Sequence, residues 1–233
     1  MRFYGLFAIV FSLISLYAAE DSTTLEQGKY IYEETCISCH GADGQGNEKM
    51  HLVVKPRVLQ RSILTQQQMF LLIRDGAHAY GAHADIMPAF KYVYSDKQIE
   101  AVAYYVTKMF NSSGKKRQAD LLAEAVTQPI SAKKEAALGA KIFKKKCAMC
   151  HGSNGNGESE YVEQSKDGKD FIYPYNLQKI LLQEEQIFLY AKYGGHFWGT
   201  AKNDMPSWKR KYNDTALKAV AKYIENNIKS KAP

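Results

Sequence analysis

A chain of 233 residues is long enough for two small domains or one large one, and 45% apolar with 24% charged residues is a globular composition. That balance excludes collagen-like and largely disordered chains. The formal net charge of +7 suits an anionic membrane, an acidic protein or nucleic acid as partner.

The N-terminus narrows that choice. Met1-Arg2 precedes an almost wholly apolar run from Phe3 to Ala19, which closes on Tyr17-Ala18-Ala19 before Glu20-Asp21-Ser22 turns polar. This is the pattern of a secretory signal peptide, residues 1–19, cleaved after Ala18 or Ala19. An uncleaved anchor is the alternative, though the run falls just short of the roughly 18–20 residues of a span. Export places the mature protein in the periplasm, removes nucleic acid from the candidate partners and leaves room for peripheral membrane association.

Beyond the signal the chain reads as helix throughout. Thr24-x-x-Gln27 has the form of a capping box for a helix running into Cys36. Thr65-x-x-Gln68 introduces a second helix that stops at Gly76, and Ser95-x-x-Gln98 a third carrying Ile99, Val102, Tyr105 and Val106 on adjacent faces. Asn111-Ser112-Ser113-Gly114 and the basic run Lys115-Lys116-Arg117 open a connection, within which residues 120–126 suit a helical turn. Further helices are expected near 132–146, 183–193 and 214–226, with Gly194 ending the middle one.

These elements form an internal repeat. Gly28 and Gly139 each lie eight residues before a Cys-x-x-Cys-His motif, and an aromatic, Tyr32 or Phe143, follows each glycine by four. Pro56 precedes Met87-Pro88 by the same 31 residues that separate Pro174 from Met205-Pro206. The copies differ by an insertion, 16 residues from His40 to Pro56 against 23 from His151 to Pro174. The expected division is a first domain over 20–112, a linker over 113–130 and a second domain over 131–233. Tyr32 and Phe143 are expected to pack on Tyr105 and Tyr223 where the first and last helices of each domain cross, with Gly28 and Gly139 allowing close approach.

The four cysteines all fall in Cys36-Ile37-Ser38-Cys39-His40 and Cys147-Ala148-Met149-Cys150-His151. Two thiols at this spacing suit addition to the vinyl groups of one haem, and the adjacent imidazole reaches the iron. A zinc half-site or a redox dithiol would use the same cysteines. Zinc would need ligands joined across both repeats, and a thioredoxin-like dithiol needs a strand-rich context that is missing. Iron in a haem takes two axial ligands, so His40 and His151 are the proximal candidates and Met87 and Met205 the sixth ligands. His78 and His196, each nine residues before its methionine, are rival sixth ligands. Pro56 and Pro174 either present a carbonyl to the proximal imidazole N–H or serve as plain turn prolines. His51 and His83 have no counterpart in the second copy.

With signal peptide, tandem glycine–aromatic–Cys-x-x-Cys-His-Gly units, Met-Pro pairs and tyrosine-bearing last helices, the chain resembles dihaem class I cytochromes c of the cytochrome c-four type over its whole mature length. The resemblance implies an all-α fold of two tandem class I cytochrome c domains, each wrapping one covalently bound haem c. It implies a periplasmic electron carrier, not an enzyme, passing single electrons from a quinol-oxidising respiratory complex to a terminal oxidase or reductase. A cytochrome subunit of a periplasmic dehydrogenase complex would use the same residues. A dihaem peroxidase needs an iron that opens, against which the matched methionines argue. Thiosulfate dehydrogenases of the family use a cysteine ligand, for which no fifth cysteine exists.

Overall fold

The computed structural model describes residues 21–47, 56–82, 87–157, 163–164, 171–172, 174–200 and 205–230. The signal segment, His51 and His83 lie outside these residues. The described chain is helical apart from a two-residue antiparallel ladder, β1 (Glu163–Gln164) with β2 (Phe171–Ile172), inside the insertion of the second copy.

Each copy uses the same elements in the same order. In the first, helix α1 (21–31) passes through a wider turn, Tyr32–Cys36, closed by an Ile37 N–H to Tyr32 carbonyl bond, into α2 (Ile37–His40). Helices α3 (Gln66–Asp75) and α4 (Asp96–Met109) complete it. In the second copy, α6 (Ala132–Ile142) leads through the matching wide turn Phe143–Cys147 into α7 (Ala148–His151), followed by α8 (Glu184–Tyr193) and α9 (Asp214–Tyr223). Such π turns are frequent at functional sites; these two fall on the residues leading into the Cys-x-x-Cys-His motifs, and a third, Ile224–Ile228, extends α9.

The caps follow sequence chemistry with one exception. Thr65 and Ser95 close capping boxes with Gln68 and Gln98, and Gly76 and Gly194 end their helices at φ of 80° and 81°. Thr24, in contrast, lies inside α1, which is already helical at residue 21. Asp21 accepts hydrogen bonds from Tyr104 and from Lys108 Nζ, so the start of α1 is held on α4 and the helix extends past the apparent cap.

Tyr32 packs on Tyr105 with ring centroids 5.5 Å apart, and Phe143 on Tyr223 at 5.6 Å, so the expected aromatic crossings form in both copies. Around them gather Ile31, Ile99, Val102 and Phe110 in the first copy, and Ile142, Leu217, Val220 and Ile224 in the second. Burial of these apolar side chains, each contributing about 1.5–3 kcal/mol, is the main stabilising term.

The connection is more ordered than its composition suggests. Instead of a turn near residue 120, helix α5 spans Ser112–Ala123. Gly114 lies so close to the Ser62 carbonyl that a side chain would collide with it, while Leu121 and Leu122 pack against the second core. The remaining strap is tied to α9 through Val126 N–H to Asp214 (2.9 Å) and Gln128 N–H to Thr215 (2.7 Å).

The two copies meet through reciprocal bonds, each carried onto its counterpart by a shift of 118 residues. Val58 N–H donates to the Gly199 carbonyl (3.1 Å) and Asn176 N–H to the Gly81 carbonyl (2.8 Å). The Gln68 carboxamide donates to the Leu181 carbonyl and Gln186 to the Ile63 carbonyl, both at 2.6 Å, and the two amides bond each other at 2.9 and 3.0 Å. Ile63 belongs to the second copy's core although it comes from the first.

At the end of α3, Asp75 gathers Arg74 (2.8 Å), Tyr80 (2.6 Å) and Lys91 (3.3 Å), joining the helix to the segment after Met87. The Arg74 bond, with help from Tyr80 and Lys91, holds the carboxyl down at about 2 against burial. Its stabilisation is therefore present above pH about 4 and lost as the pH falls through about 2. Asp75→Asn should lower stability by about 1 kcal/mol at neutral pH. In thermal melts taken at decreasing pH, the gap from wild type should close towards pH about 2.

Candidate haem-binding sites

Each Cys-x-x-Cys-His sits where a helix is forced to end. Gly41 and Gly152 cap α2 and α7 at φ of 73° and 80°, and the chain then folds back so that Gly46 N–H reaches the His40 carbonyl (2.8 Å) and Gly157 N–H the His151 carbonyl (2.9 Å). The Tyr32 hydroxyl donates to the Gly41 carbonyl (2.6 Å), tying the first motif to the aromatic core.

None of the four cysteines is in a disulfide, and all are of intermediate burial. Desolvation pushes Cys36 up to about 11 and Cys147 up to about 12, with the second thiol of each motif adding to the effect, so both are neutral. Burial likewise depresses His40 and His151, keeping the imidazoles in the unprotonated form that can coordinate a metal.

A carbonyl one residue beyond the proline faces each of those imidazoles. His151 Nδ1 donates to the Tyr175 carbonyl at 2.9 Å, leaving Nε2 as the coordinating atom. In the first copy the Arg57 carbonyl faces His40 and favours its protonated ring nitrogen, but Nδ1, although buried, makes no hydrogen bond of full geometry. Pro174 therefore serves as the rigid turn that aims its successor and is not itself the acceptor. Arg57 and Tyr175 escape a search for chemistry-bearing side chains because the backbone does this work; their place directly after the repeated prolines is the only signal.

Met87 and Met205 occupy matching loops. The Met87 carbonyl accepts from Ala77 N–H (2.9 Å) and the Met205 carbonyl from Gly195 N–H (2.8 Å). A side chain on Gly76 would lie 2.9 Å from the Met87 carbonyl oxygen, and one on Gly194 would lie 2.8 Å from that of Met205, so each helix-ending glycine also seats a methionine loop. Cys36 and Met87 pack against the first core, and Cys147 and Met205 against the second.

His78 and His196 are also equivalent. Both are exposed, in the short turns His78–Tyr80 and His196–Trp198, and each ring Nδ1 bonds a carbonyl four residues on, Ala82 at 3.1 Å and Thr200 at 3.2 Å.

Among the described residues no group of three or more His, Cys, Asp or Glu converges to hold a bare metal ion, so the two motifs do not form a shared zinc site. Two cysteine thiols, one neutral imidazole and one half-buried thioether per copy fit a covalently attached haem. No described helix is long and apolar enough to cross a membrane.

Comparison with known proteins gives the family. The family model described as cytochrome C oxidase, cbb3-type, subunit III matches residues 23–106 and again 134–224. The chain is 29% identical over 200 residues to the cbb3-type cytochrome c oxidase subunit FixP of Azorhizobium caulinodans, covering 85% of this chain and 58% of that protein. It is 25% identical over 205 residues to subunit CcoP of Cereibacter sphaeroides, covering 84% and 59%. The chain thus spans about three-fifths of the length of the curated relatives it matches. A solved structure, the Kuenenia stuttgartiensis reducing HAO-like protein complex Kustc0457/Kustc0458, aligns over 88% of this chain and 96% of its own, at 20% identity and a TM-score of 0.46. The family implies covalently bound haem c and a part in electron transfer. With both copies matched and the helical fold in place, the chain belongs to the family of cytochrome c oxidase, cbb3-type, subunit III.

Proposed function

We propose that this protein is a periplasmic dihaem electron-transfer protein that delivers single electrons to a terminal oxidase or reductase. Cys36 and Cys39 would tether one haem c, with His40 and Met87 as axial ligands; Cys147 and Cys150 would tether the other, with His151 and Met205. The observation that supports this most is the identical seating of Met87 and Met205, each by a main-chain bond and a helix-ending glycine. When bound, the haem supplies reversible one-electron exchange at iron, and a thioether ligand favours the ferrous state while closing the sixth position. The protein's own work is to hold neutral imidazoles in orientation, keep the thioethers in rigid loops and bury both against apolar cores.

The oxidase-subunit names of the relatives favour work inside or beside an oxidase; the electron donor in this proposal is a quinol-oxidising complex. A cytochrome subunit of a dehydrogenase complex is the second reading, since it needs the same residues. The periplasmic location rests on the signal-like N-terminus. Exposed Lys144, Lys145 and Lys209–Lys211 stand in the second copy where the first has Glu33, Glu34 and Lys91-Tyr92-Val93, which suits an acidic redox partner.

The oxidised protein should show the weak near-infrared sulfur-to-iron band, and Met87→Ala or Met205→Ala should each remove about half of it. Absence of the band in wild type would overturn the methionine ligands and promote His78 and His196.

A further inference from the structure

The residues whose carbonyls face the two proximal histidines, Arg57 and Tyr175, are equivalents of one another in the repeat, and their side chains meet across the interface. The Arg57 guanidinium lies over the Tyr175 ring, 5.0 Å from its centroid. Its Nη1 donates to the Tyr190 hydroxyl at 3.0 Å, and it also approaches the Tyr190 ring at 5.9 Å. Tyr190 is itself buried against Trp198 in the second core. A cation belonging to the first copy is thereby fixed on the tyrosine whose carbonyl accepts from His151 at 2.9 Å. The reverse arrangement does not exist, because the equivalent side chain in the second copy is a neutral tyrosine.

We infer that Arg57 is a positioning residue for the second haem site, acting in trans: it steadies Tyr175, and with it the His151 ring, and places a fixed positive charge beside that site. The inference rests on the ligand set proposed above. A fixed cation disfavours the additional positive charge of ferric iron, so it raises the reduction potential of the nearer iron. The packing is aromatic and partly buried, which keeps the charge from being screened as it would be in water. Arg57 thus makes the two sites unequal through a contact that neither copy possesses alone.

The test is a spectroelectrochemical titration of the full haem-loaded protein, with the first copy's wave assigned as the one displaced by Met87→Ala. In Arg57→Gln the second copy's wave should move to lower potential and further than the first's. Arg57→Lys, which keeps the charge, should hold that wave near wild type, and Tyr190→Phe, which removes one anchor of the guanidinium, should move it part of the way. A stationary second wave in Arg57→Gln, or a larger movement of the first, would overturn the inference. The near-infrared band and the haem content measured on the same samples separate this failure from failure of the ligand set: with both intact, a stationary wave counts against Arg57 alone.

Discussion

Replacing Gly139 with alanine is expected to abolish the native fold of the second copy, and Gly28→Ala that of the first. A Cβ on Gly139 would collide with the Ala219 carbonyl oxygen and stand 2.8 Å from the Tyr223 Cβ; one on Gly28 would meet the Ala101 carbonyl oxygen and stand 2.8 Å from the Tyr105 Cβ. Neither obstacle can yield cheaply. The oxygens belong to helix backbone, and Ala219 and Ala101 are 0% and 1% exposed, so α9 and α4 have no free volume behind them. Relief requires the crossing helices to separate, which opens the Phe143–Tyr223 or Tyr32–Tyr105 pair and the core beneath. Overpacking normally costs about 1–3 kcal/mol, and a backbone clash at the centre of a small core should exceed about 4 kcal/mol, a large part of a domain's total stability. Circular dichroism melts and the yield of haem-loaded protein would measure it. A variant melting like wild type would mean that the helices slide apart without loss.

Gln186→Leu should have the second largest effect, and one of a different kind. Gln186 is 3% exposed, and its carboxamide serves three ends: it accepts from Gln183 N–H at the head of α8, donates to the Ile63 carbonyl and exchanges bonds with Gln68. Leucine fills the volume but strands the buried Ile63 carbonyl and half of the partner amide, and frees the part-buried Gln183 N–H. The cost should be about 3 kcal/mol, because unmade buried bonds cost more than made ones contribute. Gln68→Leu should cost a similar amount, and the double variant less than the sum by about 1–2 kcal/mol. In urea, wild type should unfold in one transition and Gln186→Leu in two. A single transition at the wild-type midpoint would show that the amides are dispensable.

The sequence carries much of the local structure and little of the assembly. Capping boxes at Thr65 and Ser95 and stops at Gly76 and Gly194 were legible because each depends on residues a few positions apart, and the aromatic crossings because the repeat sets Tyr32 and Tyr105 in register with Phe143 and Tyr223. Thr24 misled for a tertiary reason: Asp21 finds partners on α4, and that contact extends the helix past a good cap. Helix α5 was underestimated in the same way, since Gly114, Leu121 and Leu122 reveal their purpose only against Ser62 and the second core. At the sites, the cysteines, histidines and methionines stand out by type and spacing. The carbonyls of Arg57 and Tyr175 do not, because every residue has a carbonyl and only the fold chooses which one faces an imidazole.

The reciprocal bonds, related to one another by a shift of 118 residues, have an evolutionary reading. A surface that binds its own copy in the same chain would bind it equally well as a separate molecule, which is the geometry of a two-fold symmetric homodimer. The tandem chain is in that sense a dimer whose subunits have been tethered by α5. Tethering fixes which subunit is which, so mutations on one side of the axis no longer have to be tolerated on the other. Arginine could then stand opposite tyrosine, and a lysine-rich face opposite an acidic one, giving direction to an assembly that began without any.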